Sequence, residues 1–321
     1  MRRAAAGGAS RVCTPPDAGG QRDGSSRRAL TDLAEREVDP VALYDPEGVR
    51  AFYNRYGERE WNRLETPCGR VQAWVTARFL ERHLDALAQP GQVMRVLDVG
   101  CGPGRFALVP LRRACRVTLV DVSDAMLAEA QRRIADAGLT AGLEGVYRGS
   151  YLDTGFLAAE AFDAVLCLGG SLNYMPERVP EALAAFHRVL RPGGLLLGGV
   201  MNASGSLRAI LAQGWKPADD RLSASDLQRV VETGVLEIDG RPISEHRARM
   251  FHLSEVRAAL PAAGFSLLEA SATECLLSLP ADRLVELERD PAWPALLQAE
   301  ADACRRAPET GAHLLFAAQR G

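Results

Sequence analysis

Two carboxylates and three glycines hold the chemistry-bearing spacing of this 321-residue chain. Asp98 stands two residues before Gly100-Cys101-Gly102-Pro103-Gly104, and Asp121 lies one apolar run further on. Val93 to Val99 is rich in β-branched residues and stops at Gly100, which predicts a buried parallel strand running into a glycine turn. Glycines there let the backbone approach a ligand where a Cβ would collide. A helix is expected over Arg105 to Ala114, with its free N–H groups directed at the same ligand. Asp121 ends the run from Val117, so its carboxylate sits at the carboxyl end of a neighbouring strand. It can accept hydrogen bonds there from both hydroxyls of a ribose. A dinucleotide fingerprint requires Gly-x-Gly-x-x-Gly, and the place of its third glycine is taken by Arg105. Asp98 would repel a pyrophosphate but suits a cationic, amine-bearing ligand.

The elements that position these residues follow from periodicity. Val49, Phe52, Tyr53 and Tyr56 fall at helical spacing from Pro46 onward, and a second helix is expected from about Val71 to Leu87. Ser123 is a natural N-cap for a helix through about Ala137. Leu143 to Tyr147 reads as a third strand, leading into Gly149-Ser150-Tyr151. Phe162 to Leu168 reads as a fourth, running into Gly169-Gly-Ser-Leu-Asn-Tyr174. A helix from about Pro180 to Leu190 meets a stop at Arg191-Pro-Gly-Gly194, and Leu195 to Met201 is a fifth strand. Strands alternating with helices at this spacing imply right-handed crossovers and a doubly wound α/β fold with a parallel sheet. Residues 202–250 break the rhythm and read as a cap insertion on the ligand side. Ser254 is expected to open a helix, with further strands over Phe265 to Ala270 and His313 to Ala318.

Bulk properties limit the function classes. The chain has 47% hydrophobic and 25% charged residues and a net charge of −3, ordinary for a globular protein and without a nucleic-acid footprint. Seven cysteines without a Cys-x-x-Cys pair argue against a disulfide framework or a zinc knuckle, so no metal is expected and a reducing cytoplasm is the default. No apolar run approaches membrane-spanning length, and the first residues lack the apolar core of a signal peptide. Residues 1–40 are poor in large apolar side chains and read as a disordered extension before a domain at 46–321.

Val96 to Gly104, Asp121, Gly149-Ser150-Tyr151, Phe162-Asp163 through Tyr174 and the Arg-Pro-Gly-Gly turn resemble the motifs of class I S-adenosylmethionine (SAM) methyltransferases. The closest likeness is to bacterial small-molecule enzymes with a type 11-like domain. Tyr53 to Leu64 is similar to the amino-terminal lid helix of that group. The resemblance implies a Rossmann-like seven-stranded sheet in the order 3-2-1-4-5-7-6, its last strand antiparallel. It implies SAM as cofactor, held by Asp98, Gly100, Cys101, Gly102, Gly104, Asp121, Val122, Ser150, Tyr151, Leu168, Arg63 and Tyr53. Asn173, Tyr174 and His246 are the candidates on the acceptor side, with His252 as a further possible base and Arg105 as an alternative partner for the SAM carboxylate. Many relatives carry an acid where this chain has Ser150, and the Asn- or Asp-Pro-Pro-Tyr pattern of enzymes that methylate exocyclic or amide nitrogens is absent. The expected activity is methyl transfer to an O, N, S or C atom of a small molecule in a specialised pathway. An RNA or protein methyltransferase, a SAM-binding regulator and a dehydrogenase are the competing readings.

Overall fold

In the computed structural model, the described residues are 46–212, 224–235, 237–238, 241–242 and 248–321; the expected 1–40 extension and His246 lie outside them. Three helices come first: α1 (Pro46–Tyr56), α2 (Arg59–Arg63) and α3 (Pro67–Leu87). Thr66 caps α3 by accepting the Gly69 N–H, and Pro67 occupies a first-turn position that needs no donor. The alternating part follows: β1 (Arg95–Val99), α4 (Leu108–Leu111), β2 (Arg116–Asp121), α5 (Asp124–Asp136), β3 (Leu143–Arg148), β4 (Phe162–Cys167), α6 (Val179–Val189) and β5 (Leu190–Met201). The chain continues through α7 (Ala203–Ala212), α8 (Ala224–Thr233), α9 (Leu253–Ala262), β6 (Phe265–Thr273), α10 (Ala281–Glu288), α11 (Trp293–Arg306) and β7 (His313–Arg320). The seven strands form one sheet in the order 3-2-1-4-5-7-6. β1 to β5 pair in parallel, and β7 is antiparallel to both of its neighbours.

Both faces of the sheet are covered, which is why its strands read as continuous apolar runs. Along β4 and β7 successive side chains alternate between two cores. Val165, Cys167, Leu314 and Phe316 face α6 and α9, where Phe186, Leu183 and Leu260 are buried. Ala164, Leu166, Leu315 and Ala317 face α3 and α5, against Leu80, Leu84 and Ile134. A third cluster joins α3 to α10 and α11 through Val71, Val75, Leu284 and Leu297.

Three expectations are corrected. The helix after the glycine loop is a single turn, Leu108–Leu111, not Arg105 to Ala114. Pro110 forbids helix before that turn because its ring would meet the carbonyl of Phe106, and Ala114 ends the segment at φ +58°. The Arg-Pro-Gly-Gly segment is part of β5, which begins at Leu190 and absorbs the segment as a register shift opposite Phe162 to Ala164. The helices α10 and α11 between β6 and β7 were not anticipated. Within 202–250, α7 and α8 are helical, and two short strands, Glu237–Ile238 and Arg241–Pro242, pair antiparallel.

Close packing between β5 and β7 depends on Gly198, where a Cβ would lie 2.1 Å from Cζ of Phe316. Gly198→Ala should therefore destabilise the fold by ~1–3 kcal/mol, the range for overpacking a filled core. Urea unfolding should show that adding Phe316→Leu recovers part of the loss; additive losses would mean that the ring is not the obstacle.

Candidate active site

The cleft lies where the sheet order reverses, between β1 and β4, at the carboxyl ends of the strands. Its volume is about 940 Å³, including space open to solvent. Asp98, the glycine loop, Asp121, Gly149 to Tyr151 and Leu168 reach it from the ends of β1 to β4 in turn, while Tyr53, Glu60 and Arg63 enter from α1 and α2.

Asp98 is 2% exposed, and its Oδ2 is buried without a hydrogen-bond partner. Burial, and then the nearby charge of Asp121, pushes its carboxyl up to about 8. Asp121 is better supported: Oδ2 accepts the Gly102 N–H at 2.9 Å and Oδ1 the Ser123 N–H at 2.8 Å. Burial raises this carboxyl too, and the backbone N–H bonds oppose the rise. A carboxylate has about four acceptor sites, so one on each oxygen remains for a vicinal diol. The glycine loop is thus pinned by Asp121, and the expected row of helix N–H groups is replaced by this contact. Gly100 has φ +58°, and a Cβ on it would fall 2.3 Å from Ser171 Oγ.

The far wall is aromatic. The hydroxyls of Tyr53 and Tyr174 are 2.8 Å apart, and their rings meet edge to face. Burial pushes both phenols up, so they are neutral hydrogen-bonding groups rather than bases. Arg63 donates from Nε and Nη2 to Glu60 and from Nη1 to Gln72 Oε1. Tyr151 donates its hydroxyl to the Ser171 carbonyl at 2.9 Å. Ser150 Oγ accepts the Leu152 N–H at 3.2 Å, closing a turn.

Of the candidate cofactor residues, Asp98, Gly100, Cys101, Gly102, Asp121, Val122, Ser150, Tyr151, Leu168, Arg63 and Tyr53 line the cleft. Gly104 does not: it lets the loop pack on α5, where a Cβ would lie 2.9 Å from Ala130 Cβ. Asn173 does not either. Its amide donates to the Arg249 carbonyl at 2.7 Å and accepts the Met201 N–H at 3.0 Å, so it ties backbone segments together instead of facing an acceptor. His252 stands at the start of α9, its N–H donated to Glu255. Arg105 stacks on Trp61 at 3.7 Å and pairs with Glu65. Glu60, Phe106 and Ser171 also line the cleft without having been singled out. Glu60 stands four residues past Tyr56 on the same amphipathic stretch, the one signal that could have found it.

The cleft fits an adenosyl amino acid. Asp98 offers an unpartnered buried carboxylate oxygen to an ammonium, and Asp121 offers acceptors to a ribose. With the sheet order, this defines a class I SAM methyltransferase. Residues 96–194 match the family model described as a methyltransferase domain. Over 225 residues, 67% of this chain and 70% of the relative, the sequence is 31% identical to a glycine N-methyltransferase of Rattus norvegicus. A ubiquinone biosynthesis O-methyltransferase of Methylocella silvestris is 28% identical over 64% of this chain and 90% of its own. Magnesium protoporphyrin IX methyltransferase from Synechocystis PCC 6803, solved with bound SAH, shares the fold at a TM-score of 0.55 and 15% identity, covering 86% of this chain and 99% of that one. The chain belongs to the SAM-dependent methyltransferases, and SAM is its cofactor.

Burial and the neighbouring Asp121 push the Asp98 carboxyl up to about 8 from an ordinary 3.8. Between those values the folded state binds more protons than the unfolded one, so ligand-free stability falls as pH rises through that window. Asp98→Asn should flatten this slope, leaving the part that Asp121 contributes, and melt higher than the wild type near pH 8, while binding SAM more weakly. Thermal melts across pH and calorimetric SAM titration check both; an unchanged stability slope would show that Asp98 is not the titrating group.

Proposed function

We propose that this methyltransferase acts on a small-molecule acceptor, bound beyond the strand ends and beneath the 202–250 cap insertion, in a specialised biosynthetic pathway. The observation that carries this reading is the cleft wall built by Tyr53, Tyr174, Glu60 and Arg63, an aromatic face with polar groups in a cleft of small-ligand size. The names of the glycine and ubiquinone-biosynthesis relatives, both enzymes of small-molecule metabolism, support it. The net charge of −3 supports an acceptor other than nucleic acid. We place the protein in a reducing cytoplasm, and no disulfide joins the described cysteines. Among the described residues no helix is long and apolar enough to cross a membrane. The catalytic unit is proposed to be 46–321.

Bound SAM would supply an activated methyl group, which passes in line to an oxygen, nitrogen, sulfur or carbon nucleophile as its bond to sulfur breaks and the thioether leaves. The protein's task is to position the two reactants and exclude water, worth up to ~7–11 kcal/mol in favourable systems. Asp121 and the loop it pins hold one end of the cleft. Asp98 orients a cationic group, and the Tyr53–Tyr174 pair offers a neutral, oriented hydrogen-bonding surface to the acceptor.

Asp121→Ala removes two charge-assisted bonds of ~1.5–3 kcal/mol each and also frees the Gly102 N–H, so SAM affinity should fall by about a hundredfold or more. Tyr174→Phe keeps the ring but leaves the Tyr53 hydroxyl without this partner. SAM affinity should hold while turnover on a panel of small-molecule acceptors drops by about tenfold. Equal turnover in Tyr174→Phe and the wild type would remove the hydroxyl from the acceptor side. Deleting residues 1–40 should leave SAM affinity unchanged in the same titration.

A further inference from the structure

Cys275 and Cys304 are far apart in sequence, and the fold brings them together. Cys275 follows β6, and Cys304 sits in the last turn of α11. Their Sγ atoms and a Glu300 carboxylate oxygen all lie within 4.8 Å of one another. Cys304 and Glu300 are completely buried, at 0% exposure, whereas Cys275 is half-buried. Glu300 Oε1 accepts the Cys275 N–H at 2.7 Å and the Cys304 thiol at 3.0 Å. Its Oε2 accepts the N–H groups of Leu276 and Leu277 at 2.7 and 2.8 Å. The carboxylate is therefore fixed in direction, with a thiol proton on the side that faces both sulfurs. Arg208 brings a cationic side chain to the edge of the cluster, donating to the carbonyls of Thr310 and Glu274. Space beside Cys275 depends on Gly311, where a Cβ would come within 3.0 Å of the sulfur.

We propose that Cys275, Cys304 and Glu300 bind a thiophilic divalent cation of the zinc type. Two thiolates and a carboxylate belong to the ligand set of such ions, with metal–sulfur distances of about 2.3 Å and metal–oxygen distances of about 2.0–2.2 Å. A tetrahedral centre with those bonds sets its ligand atoms roughly 3.5–4 Å apart, so the Cys304–Glu300 pair opens slightly from 3.0 Å while no other separation exceeds 4.8 Å at present. The cation takes the place of the proton that Cys304 shares with Glu300. Both thiol protons leave to solvent, and two thiolates, one carboxylate and a dication leave one net negative charge, which Arg208 offsets. The backbone N–H groups of 275–277 orient Glu300 as outer donors orient metal ligands. The exposed side of Cys275 leaves a fourth position for water. None of the three residues lines the SAM cleft. The ion would fasten the chain leaving β6 to α11, a structural role distinct from methyl transfer. The sequence argues against zinc because no Cys-x-x-Cys occurs; the ligands come instead from a loop and a distant helix.

The full chain, stripped with chelator under reducing conditions, is titrated with Zn²⁺ or Cd²⁺ alone. One cation per chain should bind with release of protons, a thiolate-to-cadmium absorption band and a higher melting temperature. Cys275→Ser should weaken binding by more than ~100-fold, beyond the loss expected for an outer-shell partner. Cys68→Ser should not, since that thiol bonds Glu274 rather than Glu300. SAM affinity should be equal in all three proteins, which controls for folding. In the wild type, Cd²⁺ should also protect Cys275 from alkylation, as read by mass spectrometry. Absence of binding, equal binding in Cys275→Ser, or alkylation of Cys275 unaffected by Cd²⁺ would each overturn the site.

Discussion

The cleft is organised around a carboxylate that the fold buries and leaves half unsatisfied. Asp98 lies in β1 with its backbone paired on both sides, to Leu119 of β2 and Leu166 of β4. Its side chain cannot withdraw to water without breaking two parallel ladders. The neighbouring Asp121 adds like charge, so in the free protein ionisation of Asp98 is opposed by burial and by repulsion together. An arriving ammonium removes both objections at once, because it supplies a donor and a countercharge inside a low-dielectric wall. The packed faces of the sheet are what hold this unfavourable arrangement in place. Stability is given up at the switch point of the sheet and recovered from the two cores on either side of it.

Around that point, contacts radiate outward from Asp121. Its carboxylate fixes Gly102 and Ser123, and Ser123 in turn donates to Asn54 Oδ1 at 2.7 Å, which fastens α1 beside Asp121. Trp61 is held between the guanidinium groups of Arg105 and Arg133, at 3.7 and 4.2 Å from its ring, which seats α2 against the glycine loop and α5. The amino-terminal helices are thus bound to the same loop and helix that shape the cofactor end. Through them Tyr53 reaches Tyr174 across the cleft. The position of the tyrosine wall is a consequence of how the glycine-loop end of the cleft is tied.

The strands were legible because a sheet covered on both faces demands unbroken apolar runs, and each run ends where a glycine or an acid reaches the cleft. Ser123 was legible as a cap for the same local reason: its side chain accepts the Met126 N–H. What escaped reading depends on longer-range competition. Pro110 restricts helix to one turn, although the residues around it are good helix formers. Arg191 to Gly194 looks like a break, yet Asp163 pairs with Arg191 at 2.7 Å and draws the segment into the sheet. The helices α10 and α11 carry an amphipathic period of their own, with Leu284 and Leu297 buried against α3, so their helical spacing was open to reading although no element was expected between β6 and β7. The juxtaposition of Cys275 and Cys304 has no local signature at all, since it exists only once α11 packs beside the end of β6.

Asn173 shows why a polar residue in a cofactor motif need not act on substrate. Completely buried, it would be costly unless every amide group found a partner. It finds them in three backbone segments: the loop it belongs to, the end of β5 at Met201, and the return of the cap at Arg249, whose N–H also donates to the Asn173 carbonyl at 2.9 Å. Asn202 repeats the device one step on, donating to the carbonyls of Glu309 and Gly311 at 2.8 Å each. The described ends of the 202–250 stretch are therefore held by hydrogen bonds to backbone groups, which depend little on the sequence between those points. The glycine-loop end of the cleft rests on the buried carboxylates of Asp98 and Asp121, whereas the chain beyond β5 is held by the side-chain amides of Asn173 and Asn202 on backbone groups.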